Sequence, residues 1–259
     1  MPERAQPGGQ GAVSIAVLFP ELLGTYGDGG NALVLAQRLR WRGIAADVVE
    51  VGAGVPVPAS CDIYLMGGGE DGPQSLAAQE LRAGGVLARA VDAGAAVLAV
   101  CAGYQLLGRE FLGPDGSPYA GLGLLDVTTT RGQGARRVGE LVVEADRELD
   151  LPRLTGYENH AGVTTLGTSA RPLGRVVVGH GNDAGQGTEG VVHQRVVGTY
   201  LHGPVLARNP GLADLMLSWV VGRLEPLDDS EVEALRVERI GTAGRSHPLS
   251  SRGLLRRRR

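Results

Sequence analysis

Four apolar residues, Val97-Leu98-Ala99-Val100, run directly into Cys101-Ala102-Gly103, and beyond Gly103 the apolar positions fall at helical spacing. An apolar run bounded by Gly94 suits a buried strand, so the cysteine stands at a strand-to-helix turn. A turn of that kind belongs to layered α/β folds, in which a parallel strand feeds a helix that packs back over the sheet. Ala99, Ala102 and Gly103 are small enough for a sharp nucleophile elbow, the geometry that lifts a reactive side chain clear of the backbone. A thiol there also meets the positive end of the helix, where a nucleophile is well placed. A plain buried cysteine in a parallel strand fits the segment equally well.

A second segment, Gly198-Thr199-Tyr200-Leu201-His202-Gly203-Pro204, bears on that choice. Val196 to Leu201 reads as a strand, with His202 at its C-terminal end before a Gly-Pro break. In open parallel sheets ligands and chemistry collect at the C-terminal ends of strands, so Cys101 and His202 can meet although far apart in sequence. A thiol nucleophile needs a base to take its proton, which makes the two together a candidate catalytic pair.

The rest of the chain alternates strands and helices. Val13 to Phe19 predicts a strand, Pro20 to Asn31 a glycine-rich loop, and Leu33, Leu35 and Leu39 mark a helix ending at Gly43, before a strand over Ala46 to Val51. The loop lacks the spacing of a dinucleotide fingerprint or a Walker loop, which weighs against nucleotide binding. A strand over Cys61 to Met66 runs into Gly67-Gly68-Gly69. Beside a nucleophile, such backbone amides make an oxyanion hole, where one donor is worth about 3 kcal/mol of transition-state stabilisation; a flexible turn is the other reading. Cys61 begins its strand and reads as structural.

One helix is expected from about Leu76 to Ala93, and another from the elbow to about Phe111. Gly121 to Thr130 and Glu140 to Ala145 have β character. Arg136 and Arg137 sit in a polar loop where arginines are usually solvated, although a carboxylate-bearing substrate would engage such a guanidinium. His160 beside Glu158 is either a hydrogen-bonded structural histidine or part of a second catalytic pair. Val176 to Gly181, Gly190 to His193 and Val196 to Leu201 form a C-terminal β meander, followed by a helix over Pro210 to Arg223.

With 259 residues and a formal net charge of −3, the chain can bury one large core and carries no global field that would recruit nucleic acid or membrane. The expected organisation is a disordered stretch at 1–11, one domain at 12–225, and a C-terminal extension at 226–259, helical to about Ile240 and then disordered to its four terminal arginines. Lysine is absent, which excludes Schiff-base lysine chemistry. Two cysteines are too few for a disulfide framework. With neither a signal peptide nor an apolar run near the roughly 20 residues that span a bilayer, a cytoplasmic protein is expected.

Cysteine elbow, triple-glycine loop and strand-end histidine, in that order, make the chain resemble the class I, triad-type glutamine amidotransferases. Gly156-Tyr157-Glu158-x-His160-x-Gly162 and Tyr200-Leu201-His202-Gly203-Pro204 are similar to the cobyric acid synthase branch. Within it, Tyr26-Gly27-Asp28-Gly29-Gly30-Asn31, Gly67-Gly68-Gly69-x-Asp71-x-x-Gln74 and Cys101-x-Gly103-Tyr104-Gln105 resemble the glutaminase subunits of lipid II isoglutaminyl synthase. The resemblance covers about residues 13 to 225. It implies an open, mostly parallel sheet flanked by helices. It also implies that Cys101 attacks the glutamine amide, that His202 is general base and acid, and that amides of Gly68 or Gly69 and of Ala102 hold the oxyanion. Gln105 and Arg136 would bind the substrate, Arg136 through its α-carboxylate.

The same resemblance implies L-glutamine as substrate, no metal and no cofactor in this subunit, and a heterodimer with a MurT-like Mur ligase subunit. That partner would use ATP and magnesium and would engage lipid II. Many class I amidotransferases carry a glutamate two residues after the histidine, where this chain has Pro204. The orienting acid therefore comes either from elsewhere in the chain or, as favoured here, from the partner. Two other readings stand beside this one: a glutaminase component for cobyrinate-type amidation, and a non-catalytic scaffold on the same fold.

Overall fold

Strands that read as unbroken apolar runs need cover on both faces, and that requirement builds the centre of this molecule. The computed structural model describes residues 11–24, 27–113 and 115–246. The first half contains β1 (Val13–Leu18), α1 (Pro20–Leu23), α2 (Gly30–Trp41), β2 (Ala46–Val51), β3 (Ile63–Met66), α3 (Asp71–Gly84), α4 (Val86–Asp92), β4 (Ala96–Val100) and α5 (Ala102–Leu107). There follow β5 (Glu110–Leu112), β6 (Pro118–Ala120), β7 (Val127–Arg131), β8 (Arg137–Ala145), β9 (Leu154–His160), β10 (Gly162–Leu166), β11 (Gly174–Val178), β12 (Thr188–Glu189), β13 (Val191–His193) and β14 (Val196–Thr199). The chain then forms α6 (Val205–Arg208), α7 (Pro210–Val221) and α8 (Ser230–Ser246).

The main sheet has the order β13-β14-β4-β3-β1-β2, parallel except for the β13 hairpin strand at one edge. Every residue of β3, β4 and β14 is buried. The crossover from β1 to β2 runs in one direction along the sheet and that from β3 to β4 in the other, so the right-handed connection that such units adopt as a rule puts their helices on opposite faces. Accordingly α2 packs on β1 and β2 and against α7, while α5 packs on β4 and β14 and against α3. Two smaller sheets, β10-β7-β5-β6 and β12-β11-β8-β9, stand beside this core.

Several element limits differ from the sequence expectation, each for a local reason. The helix expected over 76–93 is two helices, α3 and α4, broken where Gly85 takes a left-handed conformation (φ 56°). α5 stops at Leu107, because Glu110–Leu112 leave the helix to pair with β6. The strands expected as a C-terminal meander divide between sheets: β11 and β12 join β8, whereas β13 and β14 complete the main sheet.

α8 continues past Ile240 to Ser246, and its Ala243 is buried. It packs on β8 and β9, and Arg236 donates to the Arg153 carbonyl. Just before α8, Asp229 pairs with Arg38 of α2. The expectations for the N-terminal stretch and the arginine-rich end fall mainly on 1–10 and 247–259, which lie outside the described residues. Among the described residues no helix is long and apolar enough to cross a membrane.

Candidate active site

The elbow is a conformation that the neighbouring strands hold in place. Cys101 has φ 53° and ψ −106°, a region that residues with a side chain rarely occupy. Its N–H donates to the Thr199 carbonyl at 2.8 Å, and two residues on, the Gly103 N–H donates to the Gly67 carbonyl at 3.1 Å. The ends of β14 and β3 thus clamp the turn from both sides. The thiol lies buried at the start of α5.

His202 follows β14 by three residues, and its backbone is pinned by an antiparallel bridge to Tyr157 of β9, with N–H···O distances of 2.8 and 3.1 Å. The imidazole Nδ1 lies 3.1 Å from Asp28 Oδ2, and both side chains are only 2% exposed. A carboxylate accepts, so Nδ1 carries the hydrogen and Nε2 is left to serve the thiol. Burial opposes charging of this ring. The hydrogen bond to Asp28, together with the hydrogen bond and charge of Cys101, outweighs that opposition and pushes His202 up to about 10.

Asp28 lies in the glycine-rich loop between α1 and α2, where the sequence alone assigns it no role. Of the two sources left open for the orienting acid, the chain itself offers one, because the Asp28 carboxylate stands at His202 Nδ1. The available signal was positional: the loop leaves the C-terminal end of β1, on the same sheet edge as Cys101 and His202.

The triple-glycine loop after β3 is needed for close approach. A Cβ on Gly67 would lie 2.2 Å from the Leu23 carbonyl oxygen and 2.8 Å from Asp28 Cβ, and one on Gly69 would lie 2.4 Å from the Leu22 oxygen. Only glycines let this loop sit against α1 and the Asp28 loop. The oxyanion role expected of Gly68 is corrected: its N–H donates to Asp28 Oδ2 at 2.9 Å, which removes it from the cavity. Gly69 and Ala102 do line the cavity beside Cys101.

That cavity holds about 150 Å³. Gln105 forms part of its wall, one turn beyond the elbow, and Arg136 closes it from the loop before β8. Arg136 is steadied by Asn159, to whose carbonyl oxygen it donates at 2.9 Å, whereas Arg137 pairs with Asp183 outside the cavity. Arg131 and Gln74 also line it, two residues to which the sequence alone assigns no role.

His160 is part of the cavity wall. It stacks on Tyr200 with ring centroids 3.8 Å apart, with Nδ1 2.9 Å from the Gly162 carbonyl and Nε2 3.4 Å from Glu158. Burial opposes ionisation of Glu158, but hydrogen bonds from His160, Gly181 and His180 win and hold its carboxyl below the usual range. These contacts support the structural reading of His160. Among the described residues no group of three or more His, Cys, Asp or Glu side chains could hold a metal ion.

What the arrangement can do follows from its parts. A buried thiol, an imidazole oriented by a carboxylate, two backbone amides and a small cavity with two arginines suit nucleophilic attack on a carbonyl of a small anionic substrate. Comparison with known proteins points the same way. Residues 14–210 match the CobB/CobQ-like glutamine amidotransferase domain. The chain is 36% identical over 236 residues to the lipid II isoglutaminyl synthase (glutamine-hydrolyzing) subunit GatD of Staphylococcus aureus, covering 87% of this chain and 94% of that protein. It is 35% identical over 205 residues to the subunit of the same name from Streptococcus pneumoniae, covering 78% and 77%. A solved glutamine amidotransferase superposes with a TM-score of 0.55 at 23% identity, covering 80% of this chain and 98% of the other, which bears on the fold alone.

Proposed function

Because the chain belongs to the CobB/CobQ-like glutamine amidotransferase family, we propose that it is the glutaminase subunit of a two-subunit amidotransferase. It releases ammonia from L-glutamine and delivers it to an ATP-dependent, MurT-type ligase subunit. That partner amidates the D-glutamate α-carboxylate of lipid II to D-isoglutamine, on the cytoplasmic side of the membrane. The substrate and the partner are inferred from the names of the two GatD relatives. The observation that carries the chemistry is the His202–Asp28 hydrogen bond beside the strained Cys101 elbow.

Cys101 thiolate attacks the side-chain amide carbon of glutamine, and the developing oxyanion is met by the Gly69 and Ala102 amides. His202, charged and held by Asp28, gives its Nε2 proton to the departing nitrogen, so ammonia leaves and a thioester remains. The now neutral imidazole takes a proton from water, which attacks the thioester. Glutamate departs and Cys101 recovers as thiolate beside imidazolium. Arg136 suits the substrate α-carboxylate, since a guanidinium fork matches that group. No step requires a metal or an organic cofactor in this chain; ATP and magnesium belong to the ligase.

The test is reconstitution with the ligase subunit, lipid II, ATP, magnesium and L-glutamine, followed by mass spectrometry of the stem peptide. Amidation should depend on glutamine and stop with Cys101→Ala, while free ammonium should restore it in that variant. Glutamine-dependent amidation by Cys101→Ala would rule the proposal out.

A further inference from the structure

Gln74 is 2% exposed near the start of α3 and has no part in the steps above. Its Nε2 lies 3.3 Å from the Ala102 carbonyl oxygen and 2.9 Å from Gln105 Oε1. A main-chain carbonyl can only accept, so the amino end of the Gln74 amide must face it. That amino end then requires an acceptor on Gln105. The Gln105 amide is thereby fixed with its oxygen toward Gln74 and its own amino group away from it.

Gln105 Nε2 lies 3.1 Å from the Tyr200 hydroxyl. Burial holds the Tyr200 phenol well above its usual range, so it is a neutral hydroxyl. It accepts from Gln105 and is hydrogen-bonded to Thr164 Oγ1 at 2.7 Å, which is in turn 2.8 Å from Thr129 Oγ1. Stacking on His160 holds the same ring in place. An amide nitrogen has two hydrogens, and Tyr200 uses one of those on Gln105. Gly162 leaves just enough room for that amino group, since a Cβ there would lie 2.7 Å from Gln105 Nε2.

We propose that Gln74 is a positioning residue for substrate: anchored on the Ala102 carbonyl, it sets the Gln105 amide so that an N–H, not a carbonyl oxygen, faces the cavity. The site therefore selects a ligand with an acceptor oxygen at that point and rejects one that offers a donor. Ala102 carries both ends of the device, because its N–H lines the oxyanion side while its carbonyl orients the recognition side. The proposal rests on the glutaminase reading, and its test separates the two.

The experiment is inactivation of Cys101 by a diazoketone analogue of L-glutamine, beside alkylation by iodoacetamide, which lacks the amino-acid head group. Wild type, Gln74→Met, Gln74→Glu and Gly162→Ala are compared, each with a thermal melt. Gln74→Met keeps the volume but cannot donate; Gln74→Glu can only accept, so it turns the Gln105 amide over; Gly162→Ala reaches that amide from the other side. The analogue's half-saturation concentration should rise roughly ten- to a hundredfold, as for losing one hydrogen bond to a charged group. Gln74→Glu should be the most affected, and the limiting rate and the iodoacetamide rate should stay within about twofold of wild type. For glutamine turnover the same variants should raise KM more than they lower kcat. Unchanged half-saturation in folded variants would overturn the positioning role, as would a limiting rate that falls together with the iodoacetamide rate. Wild type that reacts with iodoacetamide but never saturably with the analogue would overturn the glutaminase reading itself.

Discussion

Asp28 does two things with one oxygen, accepting from His202 Nδ1 and from the Gly68 N–H. Asp28→Asn keeps the shape and removes the charge, so the glutaminase rate should fall by up to about 10⁴, the cost of losing the orienting carboxylate in a Ser-His-Asp triad. His202 should drop from about 10 toward its ordinary range near 6.5. An imidazole raised in the folded state adds stability below its unfolded value and loses that contribution as pH rises through its folded value. Wild type should therefore lose stability relative to Asp28→Asn between about pH 6.5 and 10, as checked by denaturant titrations and an NMR titration of the ring. Cys101 and His202 were legible because turn chemistry and strand ends mark them locally. Asp28 was not, because its partner lies 174 residues away and nothing in a glycine-rich loop says which way its one carboxylate faces.

Elements were legible where one physical signal dominated. β2 and the helical run of α2 follow the sequence expectation closely, since apolar positions and bounding glycines coincide there. The joint between α3 and α4 was missed because apolar periodicity continues across Gly84-Gly85, and only the left-handed backbone at Gly85 breaks it. The reach of α8 was missed because its support is tertiary. Arg38, with 4% of its side chain exposed, ties Asp214 of α7 and Asp229 before α8 to α2, and Arg42 adds a second contact to Asp214. Arg38→Ala should cost about 2–3 kcal/mol, less than orphaning fully buried charges, because those carboxylates are 27% and 28% exposed. Hydrogen exchange over 229–246 should accelerate with it; unchanged exchange there would show that α8 is held by its apolar contacts alone.

Across the whole molecule, four adjacent parallel strands deliver the site in spatial order along one sheet edge. β14 brings His202, β4 Cys101, β3 the glycine loop and β1 the Asp28 loop. Beneath that edge Glu189 accepts from Thr199, from the Tyr200 N–H at 2.8 Å and from the Gly190 N–H at 2.6 Å, bracing the strand that carries His202. Burial pushes this carboxyl up to about 7; its hydrogen bonds act against that, and the charge of Glu158 adds to it. The folded state then holds a proton that the unfolded chain releases, so stability should fall by at most about 3 kcal/mol between pH 4.5 and 7 and level off above. Glu189→Gln should remove that slope in denaturant titrations. The most direct test of a Cys–His–Asp site within one chain is glutamate release from L-glutamine by wild type, Cys101→Ala and Asp28→Asn, each alone and with the ligase subunit. Release should vanish with Cys101→Ala and fall steeply with Asp28→Asn in both conditions. An Asp28→Asn protein that turns over like wild type in both would contradict the account and return the orienting role to a carboxylate of the partner.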